Sequence, residues 1–142
     1  MFLQLMIDKI SGSSKHWLTV KSQRNEQEND MKNVYPDVDY GRDLTQHITP
    51  NFKYGEFVAS EKAMQYGIKN IPNEQEWQNI EFVAKTILQP LRDKLGIPLT
   101  VNSGFRNNEL NIKAGGSPAS FHRLGCAVDV DTHKILLVNV LE

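Results

Sequence analysis

The sequence predicts an α+β fold, in which N-terminal helices are followed by a small, mostly antiparallel sheet. Apolar residues recur at intervals of three and four over residues 77–95, which is the spacing of one face of an amphipathic helix. In residues 97–101 and 126–131 they occupy every second position, as in a strand, and glycines lie between the two segments. A chain of 142 residues is long enough for one ordinary domain and too short for two.

Composition excludes several classes of function. The chain has 16 basic and 17 acidic residues and no polybasic run, so neither nucleic acid nor an anionic membrane is an expected partner. Its single cysteine excludes an intrachain disulfide and a zinc site built on a CxxC pair. No apolar run approaches the roughly 18 residues of a membrane span. The N-terminus lacks a basic residue before its apolar run and a small-residue cleavage site, which predicts synthesis in the cytoplasm without a signal peptide.

Residues 1–46 show no sustained periodicity and are predicted to form a poorly patterned N-terminal extension. Residues 21–33 are almost wholly polar, so we expect roughly the first 30 residues to be mobile. Two alternatives remain open, namely an N-terminal helix that docks on the core and a natural start at Met31. The folded domain is predicted over residues 47–142, and nothing in the pattern indicates an oligomeric state.

Residues 47–96 have the pattern of helices that serve as a scaffold. Thr49 and Pro50 are a favourable pair for the start of a helix, and Gly67 is expected to end it. Phe52 and Phe57 are predicted to lie in the core.

A longer helix of about 20 residues is predicted next. Asn73 leads into it, Glu74 and Glu76 lie near its positive N-terminal end, and Gly96 closes it. Pro90 is expected to kink it. Its apolar stripe consists of Trp77, Ile80, Val83, Ala84, Ile87, Leu88, Leu91 and Leu95.

The last predicted strand places acidic side chains on one of its faces. By alternation Asp129 and Asp131 share a face with Ala127, whereas Cys126 lies on the apolar face and is expected to be a small core residue. A strand of this kind either borders solvent or lines a polar cavity.

A histidine precedes this strand at a suggestive distance. His122 lies seven residues before Asp129, and a turn at Gly125 would bring the two side chains to one point. Imidazole and carboxylate are ligand types of catalytic zinc ions. The alternative is a surface histidine near a solvent-facing aspartate, and spacing alone favours that alternative.

Residues 103–131, SGFRNNELNIKAGGSPASFHRLGCAVDVD, resemble the zinc D-Ala-D-Ala peptidases of bacterial cell walls and phage lysins, the M15 peptidases. The family pattern is Ser-Gly-Tyr-Arg, a Leu-Asn pair, a Gly-Gly-Ser loop and then Ser-x-His-x-x-Gly-x-Ala-x-Asp. The chain matches this pattern with Phe105 in place of the usual tyrosine. The upstream segments NFKYGEF, GIKNIP and ILQPLRDKLGIPLTVNSGFR extend the resemblance, to the C-terminal-type subfamily, over residues 47–142.

The resemblance implies a zinc-dependent carboxypeptidase or endopeptidase that cleaves the stem peptides of peptidoglycan. It makes His122 and Asp129 two of the zinc ligands, in a pocket carried by the sheet. Arg106 becomes the catalytic residue that polarises the scissile carbonyl and stabilises the charge growing on it. Ser117 and Ser120 are expected to bind substrate and to shape the pocket. The protein is expected to act at the cell wall once it is released from the cell.

The chain departs from the family pattern after Asp129. The family's third zinc ligand, a histidine in a later Trp-x-His strand, and its general-base glutamate are not found in the 13 residues that follow. We therefore expect a domain that is incomplete at its C-terminus and inactive as it stands. Asp131 and His133 are alternative third ligands, because they share a face with Asp129 if the strand continues. The competing function is a non-catalytic module that binds cell-wall peptide or another protein, for example in a phage particle.

Overall fold

The computed structural model of the chain describes residues 4–8, 35 and 37–132, with residues 4–8 described by their backbone alone. In chain order, its strands are β1 (Gln4–Asp8), β2 (His47–Thr49), β3 (Phe52–Lys53), β4 (Thr100–Ser103) and β5 (Ala127–Asp131). Its helices are a first 3₁₀ helix (Tyr54–Phe57), α1 (Glu61–Gln65), α2 (Glu74–Val83), α3 (Gln89–Leu95), α4 (Asn108–Lys113) and a second 3₁₀ helix (Phe121–Leu124).

Strand β5 is the middle strand of a three-stranded sheet. It pairs antiparallel with β4 and parallel with β1, while β2 and β3 form a separate antiparallel pair. Two of the three pairings among the described strands are thus antiparallel, and the predicted α+β class is confirmed. Ser103, the last residue of β4, is the register partner of Asp129, so the end of β4 adjoins the residues predicted to form the site.

The segment around Pro50 differs from the prediction. We predicted a helix that begins at Thr49 and Pro50, and this was wrong, because β2 and β3 form a hairpin whose turn contains Pro50 and Asn51. Both residue types favour turns, proline through its fixed φ and asparagine through its short polar side chain. The helix that follows is α1, which begins after the cap residue Ser60 and is ended by Gly67 at a φ of +65°, as predicted.

The long helix is present, and its two ends form as the sequence predicts. Asn73 Oδ1 accepts a hydrogen bond from the Glu76 backbone N–H at 2.8 Å, and Glu76 Oε1 accepts one from the Asn73 N–H at 2.8 Å. Gly96 closes α3 at a φ of +63°. The expected interruption by Pro90 takes the form of a π turn, Ala84–Leu88, that joins α2 to α3. Proline's ring clashes with the carbonyl four residues earlier, and a wider turn moves that carbonyl away.

The π turn changes which side chains reach the core. The buried residues of this helical stretch are Trp77, Ile80, Val83, Ala84 and Leu88. Ile87 and Leu91 are only half-buried, and Leu95 is 42% exposed. A π turn contains more residues per turn than an α-helix, so every position after it is rotated relative to a continuous 3.6-residue pattern.

Residues 37–46 lie before the predicted domain boundary, and several of them pack on α2. Tyr40 is buried, and its carbonyl accepts a hydrogen bond from Trp77 Nε1 at 2.7 Å. Arg42 forms ion pairs with Glu74 at 2.7 Å and with Glu81 at 3.1 Å. Its guanidinium lowers the pKa of the Glu74 carboxyl group.

The sequence pattern also predicted no element near the N-terminus, where the structure has β1. A five-residue strand draws its backbone hydrogen bonds from β5 and therefore needs no long periodic pattern of its own. The mobility expected for the rest of the first 30 residues lies outside the described residues, and the boundary at residue 47 stays a prediction.

The core lies between α2 and the sheet. Phe52 and Phe57 are fully buried in it, as predicted, and their rings lie 6.3 Å apart. Val128 and Val130 supply the inner face of β5, and Phe105 is buried beside them at 3% exposure. The described part of the chain contains no helix with the length and hydrophobicity of a membrane span.

Candidate active site

Residues 104–107 form a loop after β4 that carries Arg106. A Cβ atom at Gly104 would lie 2.6 Å from the Phe57 carbonyl oxygen, so only glycine lets the loop pass this backbone. The Phe105 N–H donates to that same carbonyl at 2.7 Å, and the Arg106 N–H donates to the His122 carbonyl at 3.0 Å. The loop is therefore fixed to the first 3₁₀ helix on one side and to the turn that carries His122 on the other.

His122 lies in the second 3₁₀ helix, which leads directly into β5. Ser120 caps this helix, because its Oγ accepts a hydrogen bond from the His122 N–H at 3.3 Å. Gly125 ends it at a φ of +74°, and a Cβ atom there would lie 2.7 Å from the Glu76 carbonyl oxygen. The turn predicted at Gly125 is thus present, and it directs the chain into the strand that carries Asp129.

The structure brings His122 and Asp129 together. His122 is 2% exposed, and its Nδ1 lies 2.7 Å from the carbonyl oxygen of Gly104. Because a carbonyl oxygen only accepts hydrogen bonds, Nδ1 carries the proton and the neutral ring presents Nε2 as a lone pair. Nε2 lies 3.5 Å from Asp129 Oδ1, and this oxygen is buried without a hydrogen-bond partner among the described residues.

The distance between these two atoms fits a shared cation. A separation of 3.5 Å is longer than an N–H···O hydrogen bond, and neither Nε2 of the neutral ring nor the carboxylate oxygen has a proton to donate. Two ligand atoms that are each about 2.1 Å from one tetrahedral zinc ion lie roughly 3.4 Å apart. The donor types and their separation therefore suit a zinc ion, and the role of the two residues as ligands stays a prediction.

The electrostatic surroundings keep the His122 ring neutral. Burial lowers the pKa of the imidazole, and the nearby Arg106 guanidinium adds to this effect. The Gly104 carbonyl and the Asp129 carboxylate act in the opposite direction and do not outweigh burial. The neutral ring is the form that binds a metal ion.

Arg106 is half-buried at the same place. Burial lowers the pKa of its guanidinium and Asp129 opposes this, yet an arginine remains charged at neutral pH. Its Nε is buried and finds no hydrogen-bond partner in the described part of the chain. A half-buried guanidinium that lines a cavity is able to bind an oxygen atom that gains negative charge there.

The predicted site residues line one cavity of about 370 Å³, formed by Arg106, Ser117, Ser120, His122 and Asp129 together with Gly116, Ala119 and Phe121. Ser117 Oγ accepts a hydrogen bond from the Ala119 N–H at 3.2 Å, and Ser120 Oγ caps the second 3₁₀ helix. Both hydroxyl groups accept hydrogen bonds within their own loop, so their hydrogens are left to donate. Their contact with a substrate stays a prediction.

A third metal ligand is not found among the described residues, because no group of three His, Cys, Asp or Glu side chains there is able to hold an ion. Asp131 therefore does not join His122 and Asp129. Asp131 pairs in the sheet with Thr100, three residues before Ser103, the register partner of Asp129. His133 lies outside the described residues.

The class of the protein is decided by a match to a known family. A model of the family described as Peptidase M15 matches residues 50–140, close to the range 47–142 predicted from the sequence. The chain belongs to the peptidase M15 family. Membership indicates a hydrolase of the metallopeptidase kind, and M15 peptidases generally depend on zinc. No curated protein and no solved structure matches the chain.

Two features of this M15 domain were missed by sequence reasoning. The carbonyl of Gly104 orients the His122 ring, and a backbone group has no signal of its own in a sequence. Asn70, in the segment GIKNIP, is buried and binds the backbone on both sides of Arg106. A single asparagine in a segment with glycine and proline is expected to be a turn residue, so only the match of GIKNIP to the family lead-in marked the segment.

Proposed function

We propose that the chain is a zinc-dependent peptidase domain of the D-Ala-D-Ala type, acting as a carboxypeptidase or an endopeptidase on the stem peptides of peptidoglycan. The observation that carries the proposal is the 3.5 Å approach of His122 Nε2 to the unpartnered Asp129 Oδ1, beside Arg106 in one cavity. The match to the M15 family supports the peptidase class. The protein reaches its substrate at the cell wall after release from the cell.

In this proposal His122 and Asp129 hold the zinc ion. The Gly104 carbonyl keeps the proton on Nδ1, so that Nε2 is always available as a ligand. When bound, zinc supplies Lewis-acid catalysis and activates water for attack on a carbonyl. The protein orients the ligands before the ion arrives, which reduces the cost of binding.

The other side chains of the cavity act on the peptide. Arg106 donates to the carbonyl oxygen on which negative charge develops, and its half-buried position strengthens that interaction because little water competes. The hydroxyl groups of Ser117 and Ser120 donate to carbonyl or carboxylate oxygens of the peptide and hold it across the cavity.

Zinc titration of the 142-residue chain tests the proposed site. The wild-type chain should bind zinc weakly, since the described residues supply two ligands and catalytic sites normally use three. His122→Ala and Asp129→Ala should each abolish binding in isothermal titration calorimetry. The control is His47→Ala, which removes an exposed histidine of β2 and should change nothing. Binding that survives His122→Ala would overturn the site.

Hydrolysis of a peptide that ends in D-Ala-D-Ala tests the reaction. The residues that line the cavity include no glutamate, and general-base assistance is worth roughly 10²–10⁴-fold. We therefore expect no easily measured turnover by the 142-residue chain. Rapid, zinc-dependent cleavage would show that a base and a further ligand come from residues outside those described.

The second candidate is a non-catalytic module that binds a cell-wall peptide or another protein. Two observations on the described part of the chain favour it: the pair of ligand-type side chains has no third member there, and the cavity lining contains no glutamate. This module would bind the D-Ala-D-Ala peptide with an affinity that does not depend on zinc. An affinity that rises when zinc is added argues for the peptidase.

A further inference from the structure

Asn70 is a buried side chain beneath the loop that carries Arg106. It is 2% exposed, and its amide makes three hydrogen bonds, all of them to backbone groups. Nδ2 donates to the carbonyl of Val58 at 3.1 Å and to the carbonyl of Phe105 at 2.8 Å. Oδ1 accepts from the Asn107 N–H at 2.8 Å. One side chain thus binds the peptide groups immediately before and after Arg106.

The backbone at Arg106 is held from several directions. Its own N–H donates to the His122 carbonyl at 3.0 Å, and Asn107 Nδ2 donates back to the Lys69 carbonyl at 3.0 Å. Removing the Asn70 amide would leave the buried Phe105 carbonyl and the partly buried Asn107 N–H without this partner. Unpaired buried groups are unfavourable, so the loop would move to find new partners.

The same loop also orients His122. The Gly104 carbonyl, which accepts from His122 Nδ1 at 2.7 Å, belongs to the residue just before Phe105. A displacement of Phe105 therefore moves the group that fixes the proton on the imidazole. Through this one loop, Asn70 affects both the guanidinium of Arg106 and the imidazole ring of His122.

We propose that Asn70 is a positioning residue of the candidate active site, which holds residues 104–107 so that Arg106 and His122 keep their places at the cavity. The inference rests on the proposed function, because it takes those two side chains to be the ones that act. The contacts of Asn70 do not depend on any activity, so the proposal is testable without substrate or metal.

Nuclear magnetic resonance of the ¹⁵N-labelled, metal-free 142-residue chain is the test. The Nδ1 proton of His122 and the Nε proton of Arg106 are identified by their loss in His122→Ala and Arg106→Lys. In Asn70→Ala, the exchange of the His122 Nδ1 proton with solvent should become about tenfold faster or more. The Arg106 Nε signal should also shift.

Gln89→Ala is the matched control. The side-chain amide of Gln89 also links two segments that are distant in the sequence, through bonds of 2.9 and 3.1 Å to Asn51, but it lies on α3 and not at the cavity. This variant should lose some thermal stability and keep both signals unchanged. Equal changes in Gln89→Ala would overturn the proposal, since any loss of stability would then move the signals.

Asn70→Ser is the second variant, in case Asn70→Ala does not fold. It keeps a small polar group and should change the same two signals to a smaller extent. Unchanged signals in a folded Asn70 variant would overturn the proposal, and so would the failure of both variants to fold, because Asn70 would then act on the whole fold. Absence of peptide hydrolysis would affect only the proposed function, because this test uses no substrate.

Discussion

Burial and one hydrogen bond act together on the ring of His122. The Gly104 carbonyl binds the protonated Nδ1, and the surrounding core disfavours a second proton on Nε2. The fold itself therefore keeps Nε2 unprotonated, which is the form in which a histidine is able to bind a metal ion.

The lowered pKa of His122 predicts that the metal-free protein loses stability in acid. A group whose pKa is lower in the folded state contributes stability above its unfolded pKa, and this contribution is lost as the pH falls through the folded pKa. Urea unfolding at pH 7.5 and pH 5 should show a decrease for the wild type, because the unfolded histidine takes up a proton below about pH 6.5. In His122→Asn, whose amide is able to replace the Nδ1 donor, the decrease should be smaller. An equal decrease in both proteins would contradict the prediction.

Arg106 should act on the charge of the substrate and not on the metal. A phosphonate analogue of a D-Ala-D-Ala peptide mimics the developing oxyanion, and Arg106→Ala should weaken its binding roughly 10²-fold. Arg106→Lys should bind the analogue with an intermediate affinity, since lysine keeps the positive charge but lacks the planar guanidinium group. Zinc affinity, measured in parallel, should remain unchanged. Loss of zinc binding together with analogue binding would assign Arg106 a structural role in place of the proposed one.

The π turn Ala84–Leu88 predicts a graded response along one helix. Leu88→Ala should reduce the free energy of unfolding by about 2–5 kcal/mol, because Leu88 is fully buried. Leu95→Ala should change it by less than about 0.5 kcal/mol, because Leu95 is exposed after the turn. Leu91→Ala, at a half-buried position, should lie between the two. Urea unfolding measures all three, and equal losses at Leu88 and Leu95 would mean that the helix continues without the π turn.

Elements with strong local signals were predicted well from the sequence. The long helix carries its own cap at Asn73, its own stop at Gly96 and an apolar stripe, so neighbouring residues suffice to specify it. The π turn was not predicted, because a proline such as Pro90 is compatible with several helix distortions, and packing determines which of them forms. The hairpin at Pro50 was missed because Thr-Pro suits both a helix start and a turn, and its two short strands offer little alternation.

At the scale of the molecule, β1 joins the N-terminus to the strand that carries Asp129. If residues 1–8 belonged to a mobile extension, their removal would not change the stability of the protein. The β1–β5 pairing instead predicts a loss of stability, because removal of residues 1–8 leaves one edge of β5 unpaired. The melting temperature should fall by about 3 °C for each kcal/mol lost. Removal of residues 1–3 alone, which leaves β1 intact, is the control and should change little. An unchanged melting temperature in both proteins would argue that the extension is separate from the domain.

The residues of the candidate site were predicted from the sequence, but the groups that hold them in place were not. His122, Asp129 and Arg106 were identified through the resemblance to the M15 family pattern, and the structure places all three at one cavity. The groups that hold them in place were not predicted. The Asn70 amide and the Phe57 carbonyl come from distant segments, and the Gly104 carbonyl is a backbone group with no signal of its own in the sequence. A motif marks candidate site residues, whereas the groups that support them depend on tertiary packing.

The parallel pairing of β1 with β5 also has a kinetic consequence. The partners in this pair are separated by about four times as many residues as the partners of the β4–β5 pair, so closing the larger loop costs about 1.2 kcal/mol more in chain entropy. Contacts between distant segments form late in folding. During synthesis or refolding, the turn with His122 and the β4–β5 pair should therefore assemble first, and β1 should pair with β5 last.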